Sequence, residues 1–470
     1  LASLAIVRNA ENFGGCGGFN TGLAYVEQAL APDRGVRLIA GGDEPARETT
    51  PEFVWLVDDD AEPAPDALAR LVEAMRSDPA IGLVGSRTVD IRDRKTTIET
   101  TIYQERRTGV FADQPDEGHP RRADHEAWIA TVGGVKGRRA FTGLRDVDIV
   151  SACSMLARWS AVEKVGFWDH RYFIYCDDAD WCLRFAHSGY RVVLSLDAVV
   201  YHTPWHHKLT PARLYYAQRN LLWTIRKTFD PARLRDVMGL RVRTLLGQAR
   251  EAGLCHRLFH AEVIRRSVED AVRDRGGKLD LESLKPVPIA DVARRIGRPG
   301  TTPTVAMVLH RPIALDWAAG LRQRLGEALA PGSPGGASVR WIEFVRNDVA
   351  GVHELETPAG VTRSIYAPHL KSRLRRQAPV LKRRADLLVI FDGACDLPLV
   401  RSPRWVLHID SARPTEGVLE RGGLRPRLAF LRRLWATSRR ARAWAARLRP
   451  GGPEGKYGGV PALEPGPTRA

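Results

Sequence analysis

The sequence predicts an α/β protein in which a Rossmann-like mixed sheet flanked by helices is followed by a helical region and a second small α/β unit. Three observations predict it. Over the first 230 residues short apolar runs alternate with stretches of helical periodicity, the pattern of a layered α/β domain. From residue 211 to about 296 the apolar spacing becomes mainly helical, with arginines on the outer faces. Beyond residue 305 short apolar runs return. The chain has 470 residues, 44% of them hydrophobic and 27% charged, which is enough apolar mass for two or three cores. That composition excludes a wholly disordered chain, a collagen-like repeat and a disulfide-stapled miniature. No run approaches the roughly 18 uninterrupted apolar residues of a membrane-spanning helix.

Residues 4–7 read as a strand leading into the glycine-rich loop 12–18, and 21–30 as a helix capped by Asn20 or Thr21. The chain opens on Leu1 rather than Met, and on a strand almost at once, so further natural sequence is expected before it. FVWLV at 53–57 is a short buried strand ending in Asp58-Asp59-Asp60. A helix over 65–75 follows, with Leu68, Leu71, Val72 and Met75 at helical spacing. Residues 81–84 make a further strand, and the polar, glycine-rich stretch 88–144 reads as a long excursion over the surface. Strands at 148–157, 191–196 and 198–201 and helices at 161–165 and 177–188 complete a first domain set at 1–230. A helical region covers 231–297, and RPGTTPTV at 298–305 is a linker. Strands at 305–309, 339–344, 385–391 and 405–409 build an accessory α/β region over 306–420. Residues 421–450 form a basic amphipathic helix, and 451–470, rich in Gly and Pro, a disordered tail.

The six cysteines show neither a C-x-x-C pair nor zinc-site spacing, so reduced thiols in a cytoplasmic protein are expected. Charge is divided unevenly. Residues 1–200 carry 23 Lys+Arg against 31 Asp+Glu, whereas 201–470 carry 48 against 24, within a net charge of +16. A basic second half points to anionic partners: phospholipid, nucleic acid or phosphorylated substrate.

The sharpest local signal is the aspartate triplet. Successive strand residues face opposite ways, so Asp58 and Asp60 project together and Asp59 away. Adjacent carboxylates repel and call for a positive charge between them. A divalent cation with oxygen ligands supplies it, and Mn²⁺ or Mg²⁺ leaves positions for phosphate oxygens. The plain alternative is a solvated acidic turn. A second cluster, Asp177-Asp178-Ala179-Asp180, opens a helix, where capping and the helix dipole already favour carboxylates; the functional reading is a general base at a pocket wall. His202, leaving the strand at 198–201, is placed to complete a metal site, with His206 and His207 as further ligand candidates. Trp205 would stack on a sugar ring or be buried. The loop 12–22 brings backbone close to a ligand at a helix start that suits phosphate. It matches neither G-x-G-x-x-G nor the Walker loop.

Taken in order, NFGGCGGFNTG, FVWLVDDDAEP, GFWDHRYFIYCDDADWCLR, YHTPW and YYAQRN resemble the inverting enzymes of glycosyltransferase family 2, over residues 1 to about 225. Within that family, FIYCDDADWCLR with YHTPW looks similar to bacterial cell-wall galactofuranosyltransferases and rhamnosyltransferase-like relatives. The resemblance implies a GT-A fold and a divalent cation, Mn²⁺ or Mg²⁺, on Asp58, Asp60 and His202. It implies Asp178 as general base supported by Asp177, and donor contacts from Asn20, Gly22, Gly18 and Asp59. Trp205 and Trp181 would meet the acceptor. It further implies a UDP- or dTDP-sugar donor, a glycan or lipid-linked acceptor, a second copy of the chain as partner, and no nucleic acid. The family's opening strand and acidic turn, which hold the nucleotide base, are expected in sequence preceding Leu1, and a shortened chain would be an inactive fragment. Ala217 stands in YYAQRN where some galactofuranosyltransferases have histidine. The span 427–449 sets Leu428, Leu431, Leu434, Trp435 and Leu448 along one helical side among many arginines, which fits peripheral contact with the inner face of the cell membrane. A metal-dependent nucleotidyltransferase and a basic nucleic-acid-binding protein are the competing readings. The first leaves His202 and the D-D-A-D cluster unexplained, and the second has no recognised module.

Overall fold

The computed structural model describes residues 6–30, 51–204, 211–279, 286–297, 301–310, 313–329, 338–347, 349, 356–366, 385–392, 403–409 and 414–448. Helix α1 (Gly14–Leu30) starts inside the glycine-rich segment, not after it as expected. Asn12 opens the way into it: its Oδ1 accepts the Gly14 N–H at 2.8 Å, an Asx turn two residues ahead of the helix. Cys16 is fully buried on this helix and donates to the Asp169 carbonyl. Ile6 and Val7 are exposed and in no strand, and the rest of that expected strand lies outside the described residues.

The first sheet is built from β1 (Phe53–Val57), β2 (Glu62–Pro63), β3 (Ile81–Asp90), β4 (Thr97–Glu99), β7 (Leu144–Asp146), β8 (Ser154–Arg158) and β9 (Arg191–His202), in the order β1-β8-β3-β9-β2. Strand β4 pairs with β3 and β7 with β9. Only β3 and β9 run parallel; the other pairs are antiparallel. Strand β9 is continuous where two strands were expected. Its register against β3 slips between Ser195 and Val199, a bulge that absorbs the polar interruption at Asp197. Helix α2 (Ala67–Arg76) buries Leu71 and Met75 against this sheet.

The stretch 88–144 is not a surface excursion. It carries β4, the hairpin of β5 (Tyr103–Gln104) and β6 (Phe111–Ala112), and α3 (Arg122–Val132), and it buries Tyr103 and Trp128. Buried Asp148 ties it down by accepting the Gln104 N–H at 2.9 Å and facing His119 at 2.9 Å and Arg121 at 3.2 Å. Burial alone would raise that carboxyl; the bonds from His119 and Gln104 hold it below its ordinary value. Only a tertiary partner makes so polar a stretch foldable, which is why its periodicity is silent. The expected strand 148–157 is accordingly reduced to β8.

After α4 (Trp159–Val165) and α5 (Asp177–His187) come α6 (Pro211–Thr228), α7 (Leu234–Leu254) and α8 (Leu258–Val272). The second unit follows. Its sheet holds β10 (Val287–Pro288), β11 (Thr304–Leu309), β12 (Arg340–Arg346), β13 (Val361–Tyr366), β14 (Leu387–Phe391), β15 (Trp405–Ile409) and β16 (Glu416–Arg421), in the order β10-β16-β15-β14-β11-β12-β13. The run from β15 to β13 is parallel, with α9 (Ile289–Ile296) and α10 (Ile313–Leu329) packed on one face. Strand β13 escapes a sequence reading because Arg363 interrupts it. That guanidinium reaches fully buried Glu343 at 2.9 Å.

Helix α11 (Leu424–Arg447) is basic and amphipathic as expected, but its apolar side is covered by the protein itself. Phe430, Leu434, Ala441 and Ala445 are buried against α7 and α8. Of the residues expected along one free side, Leu434 and Leu448 are buried, and Leu428 and Trp435 are exposed.

A buried ion network joins α5 to α6. Asp169, 2% exposed, meets Arg171 at 2.7 Å and Lys227 at 3.1 Å; Asp180, 1% exposed, meets Lys227 at 2.5 Å and Arg184 at 3.0 Å. Burial alone would raise the Asp169 carboxyl, but Arg171 and Lys227 hold it well below its ordinary range. A carboxyl depressed in the folded state stabilises above its unfolded value, about pH 4, and that stability drains as pH falls toward the folded value. Asp169→Asn is therefore expected to cost about 3 kcal/mol at pH 7, with the penalty shrinking below about pH 4. Urea unfolding of both proteins across that range tests it, and a pH-independent difference would contradict it.

Candidate active site

Strand β1 delivers the aspartate triplet, but the triplet itself is a turn. The Ala61 N–H bonds back to the Asp58 carbonyl at 3.2 Å, and the Asp58 N–H donates to Cys153 O at 3.3 Å. The turn, not strand alternation, brings Asp58 and Asp60 to one side. His202 ends β9, paired in parallel register with Asp90 at the end of β3. Its Nε2 lies 3.1 Å from Asp60 Oδ1 and 4.0 Å from Asp58 Oδ2. One ligand atom from each of Asp58, Asp60 and His202 falls within 4.8 Å of the others. Two carboxylates and an imidazole, all partly open to solvent, fit a divalent cation of the Mg²⁺ or Mn²⁺ kind with further positions left over.

The second acidic pair begins α5 and is held there by the loop before it. Asn220 Nδ2 donates to the carbonyls of Tyr172, Ile174 and Tyr175 at 2.8–2.9 Å. Fully buried Arg219 bonds the carbonyls of Arg171 and Tyr172 from the same side. Around these two residues the loop adopts positive φ at Phe173, Tyr175 and Cys176, a conformation that non-glycine residues rarely hold. Gly14 presses on it from α1: a Cβ there would sit 2.0 Å from Phe173 O. The N–H groups of Ala179 and Ala152 bond the Asp178 carboxylate. Burial, then the Asp178 charge, pushes the Asp177 carboxyl well above its usual range, and burial pushes Asp178 up as well.

Both acidic groups open onto one cavity of about 1490 Å³, with Asp58, Asp59, Asp60 and His202 at one part and Asp177 and Asp178 at another. Gly18 also lines it. A residue the sequence reading missed is Glu99, on β4 opposite Thr88, which joins the lining with Lys136. Burial and the nearby Asp178 push its carboxyl up to about 7. Nothing in the sequence singles it out, since the stretch around it has no periodic signal.

Other expected site residues are placed elsewhere. Asn20 is buried and spent on Trp168, donating to its carbonyl at 2.8 Å and accepting its N–H at 2.9 Å. Gly22 is exposed on α1 and does not line the cavity. Trp181 has no exposed surface, donates to Gly166 O and packs on Trp168 and Phe185, so it belongs to the core. Trp205, His206 and His207 lie outside the described residues.

Comparison with known proteins gives three findings. Residues 33–133 match the family model described as glycosyl transferase family 2, a span that includes Asp58–Asp60 and Glu99. The match ends before Asp177, Asp178 and His202. No curated protein matches the chain. Among solved structures, GalNAc-T7 with UDP, GalNAc and Mn²⁺ is similar at 12% identity and a TM-score of 0.30, covering 47% of this chain and 35% of that one.

Glu99 generates a pH prediction. A carboxyl raised in the folded state stabilises fully below its unfolded value, about 4.3, and that contribution is lost as pH rises through the folded value near 7. In EDTA, Glu99→Gln should therefore be more stable than wild type at pH 8 and indistinguishable from it near pH 4. Equal thermal-melting profiles at both pH values would rule out this environment for Glu99.

Proposed function

We propose that the chain is an inverting, metal-assisted glycosyltransferase. It would move a galactofuranose- or rhamnose-like sugar from a UDP- or dTDP-linked donor to a hydroxyl of a cell-envelope glycan or glycolipid. The observation that carries the reading is the convergence of Asp58, Asp60 and His202 on one cavity with the Asp177–Asp178 pair. The family match over residues 33–133 supports it. A nucleotidyltransferase shares the first group but has no use for the second.

Asp58, Asp60 and His202 would hold the cation, which when bound supplies charge neutralisation to the donor diphosphate. The chain's own residues do the rest. Asp178, oriented by the Ala152 and Ala179 N–H groups, takes the proton of the acceptor hydroxyl. The acceptor oxygen forms its bond to the anomeric carbon as the bond to the diphosphate breaks on the opposite side. The bonding pair leaves on the diphosphate, the proton rests on Asp178, and configuration at that carbon inverts. Asp177 beside it holds its proton through burial and Asp178's charge, so the pair does not place two full charges side by side. Glu99 is a third carboxyl in the lining of the same cavity.

Contact with an anionic membrane surface is part of the proposal. On α11, Leu424, Leu428, Arg432, Trp435 and Arg439 recur at helical spacing and all are exposed, the leucines and Trp435 by 47–68%. Among the described residues no helix is long and apolar enough to cross a membrane, so such contact would be peripheral.

Two measurements test these readings. Calorimetry should find Mn²⁺-dependent UDP binding that Asp60→Ala abolishes, while Asp178→Asn keeps the binding and loses about 100-fold or more of its transfer rate. Binding indifferent to Mn²⁺ and to Asp60 would sink the metal role. In flotation with phosphatidylglycerol vesicles, the double change Leu428→Ser with Trp435→Ser should cut recovery of the bound chain at least fivefold. Recovery equal to wild type would remove α11 from any membrane contact.

A further inference from the structure

The acidic end of the cavity is absorbed by the proposed chemistry; its helical wall is not. Three arginines line that wall from successive helical segments: Arg213 on α6, Arg241 on α7 and Arg257 just before α8, with His260 beside them. Arg213 hydrogen-bonds the Tyr175 hydroxyl. Arg257 faces Glu251 at 3.9 Å, with that carboxylate 69% exposed. Arg241 differs. Its Nε is buried with no hydrogen-bond partner, no carboxylate among the described residues pairs with it, and the ionisable neighbour whose charge bears on it is Cys176. His260 Nδ1 is a second buried polar atom without a partner in the same wall. Burial, then Arg257, pushes its imidazole down to about 3, so it faces the cavity lining as a neutral ring at physiological pH.

Arg241 as a whole is half-buried, and a guanidinium drawn partly out of water without a counter-charge is costly, since buried charges in proteins are ordinarily paired. Two orphaned polar atoms in one wall need an explanation, and an anion in the cavity answers both. Guanidinium groups suit the flat carboxylate and the phosphate oxygens equally. Position decides which molecule carries the anion. Asp58 acts on Asp177 from the sheet side, and Arg241 acts on Cys176, one residue earlier, from the helical side. The Asp177–Asp178 turn thus has the metal-binding carboxylates on one hand and the unpaired cation on the other. A donor diphosphate belongs with the former.

We infer that Arg241, with Arg257 and His260, forms a subsite for an anionic group of the acceptor, a phosphate or a carboxylate, that anchors the acceptor beside Asp178. That the anion belongs to an acceptor rests on the glycosyl-transfer reading; that the wall binds an anion does not.

The test uses the whole chain in EDTA, so that no metal can hold a phosphate at Asp58 and Asp60. Calorimetry with citronellyl phosphate and, separately, methyl glucuronide should show binding of at least one, and which one binds identifies the acceptor's anion. Arg241→Met should weaken that binding at least tenfold, and Arg241→Lys should restore part of it. Mn²⁺-dependent UDP binding by Arg241→Met should equal wild type, and its melting temperature should be no lower, since an unpaired buried charge has been removed. Should the methionine variant not fold, Arg257→Met carries the same expectation. Absence of binding by both probes, or equal binding by variant and wild type, overturns the subsite. A matching fall in UDP binding overturns its assignment to the acceptor. Failure of wild type to bind UDP with Mn²⁺ is a separate result, and it counts against the glycosyl-transfer reading alone.

Discussion

The site depends on one constraint, the clamp that Arg219 and Asn220 place on the loop ahead of α5. Three consecutive-turn residues of that loop, Phe173, Tyr175 and Cys176, sit at positive φ, each at a cost of about 1–3 kcal/mol. Such a conformation persists only when its surroundings over-determine it. Here five hydrogen bonds from two adjacent α6 side chains hold its carbonyls, and those from the guanidinium are charge-assisted. Gly14 closes the other side, where no larger residue fits. The strain is what turns α5 so that Asp177 and Asp178 begin it at the cavity. Without the clamp the chain would enter α5 by a relaxed route, and the carboxyls would start the helix somewhere else.

Beneath that turn, the ion network of Asp169, Asp180, Arg171, Arg184 and Lys227 does the complementary task. It fixes the body of α5 against α6 through Asp180, while Asp177 and Asp178 have no cation paired with them among the described residues. The contrast is physical. Asp169 is stabilised as an anion by cations at hydrogen-bond distance, whereas Asp178 is raised by burial, and Asp177 and Glu99 by burial and by the Asp178 charge. Acidic residues of one composition are thereby sorted into ion-paired and unpaired groups by what faces them.

Legibility from sequence followed the same division. Elements with a clear apolar pattern, such as β1, α2, α5 and the central strands β11, β12, β14 and β15 of the second sheet, were readable because the pattern is local, one-sided in the helices and a continuous apolar run in the buried strands. The Asp58–Asp60 pairing was read by strand alternation and arises from a turn; i and i+2 happen to converge in both. His202 was readable as the end of an apolar run. Glu99, Asp148 and the fold of 88–144 were not, since their signal is a tertiary partner and not a spacing. The glycine-rich segment misled in the opposite way: its composition reads as loop, but an Asx turn from Asn12 leads into it and buried Cys16 anchors it as helix. Trp181 and Asn20 show the limit of reading polar and aromatic residues near a motif as ligand contacts, because both are consumed by Trp168 and its surroundings.

The course of the chain gives the helical wall its meaning. After α8 it leaves the first unit, builds the second sheet, and returns as α11, whose Phe430 and Leu434 enter the first unit's core. Gly253 on α7 makes room for that return, since a Cβ there would lie 2.7 Å from the Phe430 ring. The second α/β unit is thus flanked in sequence by elements that pack with α7, and α7 carries Arg241 into the cavity. His408 of β15 also stacks near Phe259 of α8, ring centroids 5.4 Å apart, and its charge bears on His260. The wall of the cavity is therefore held from behind by both the returning helix and the second sheet. Among the described residues, the second unit meets the cavity only from behind that helical wall, through His408 against Phe259.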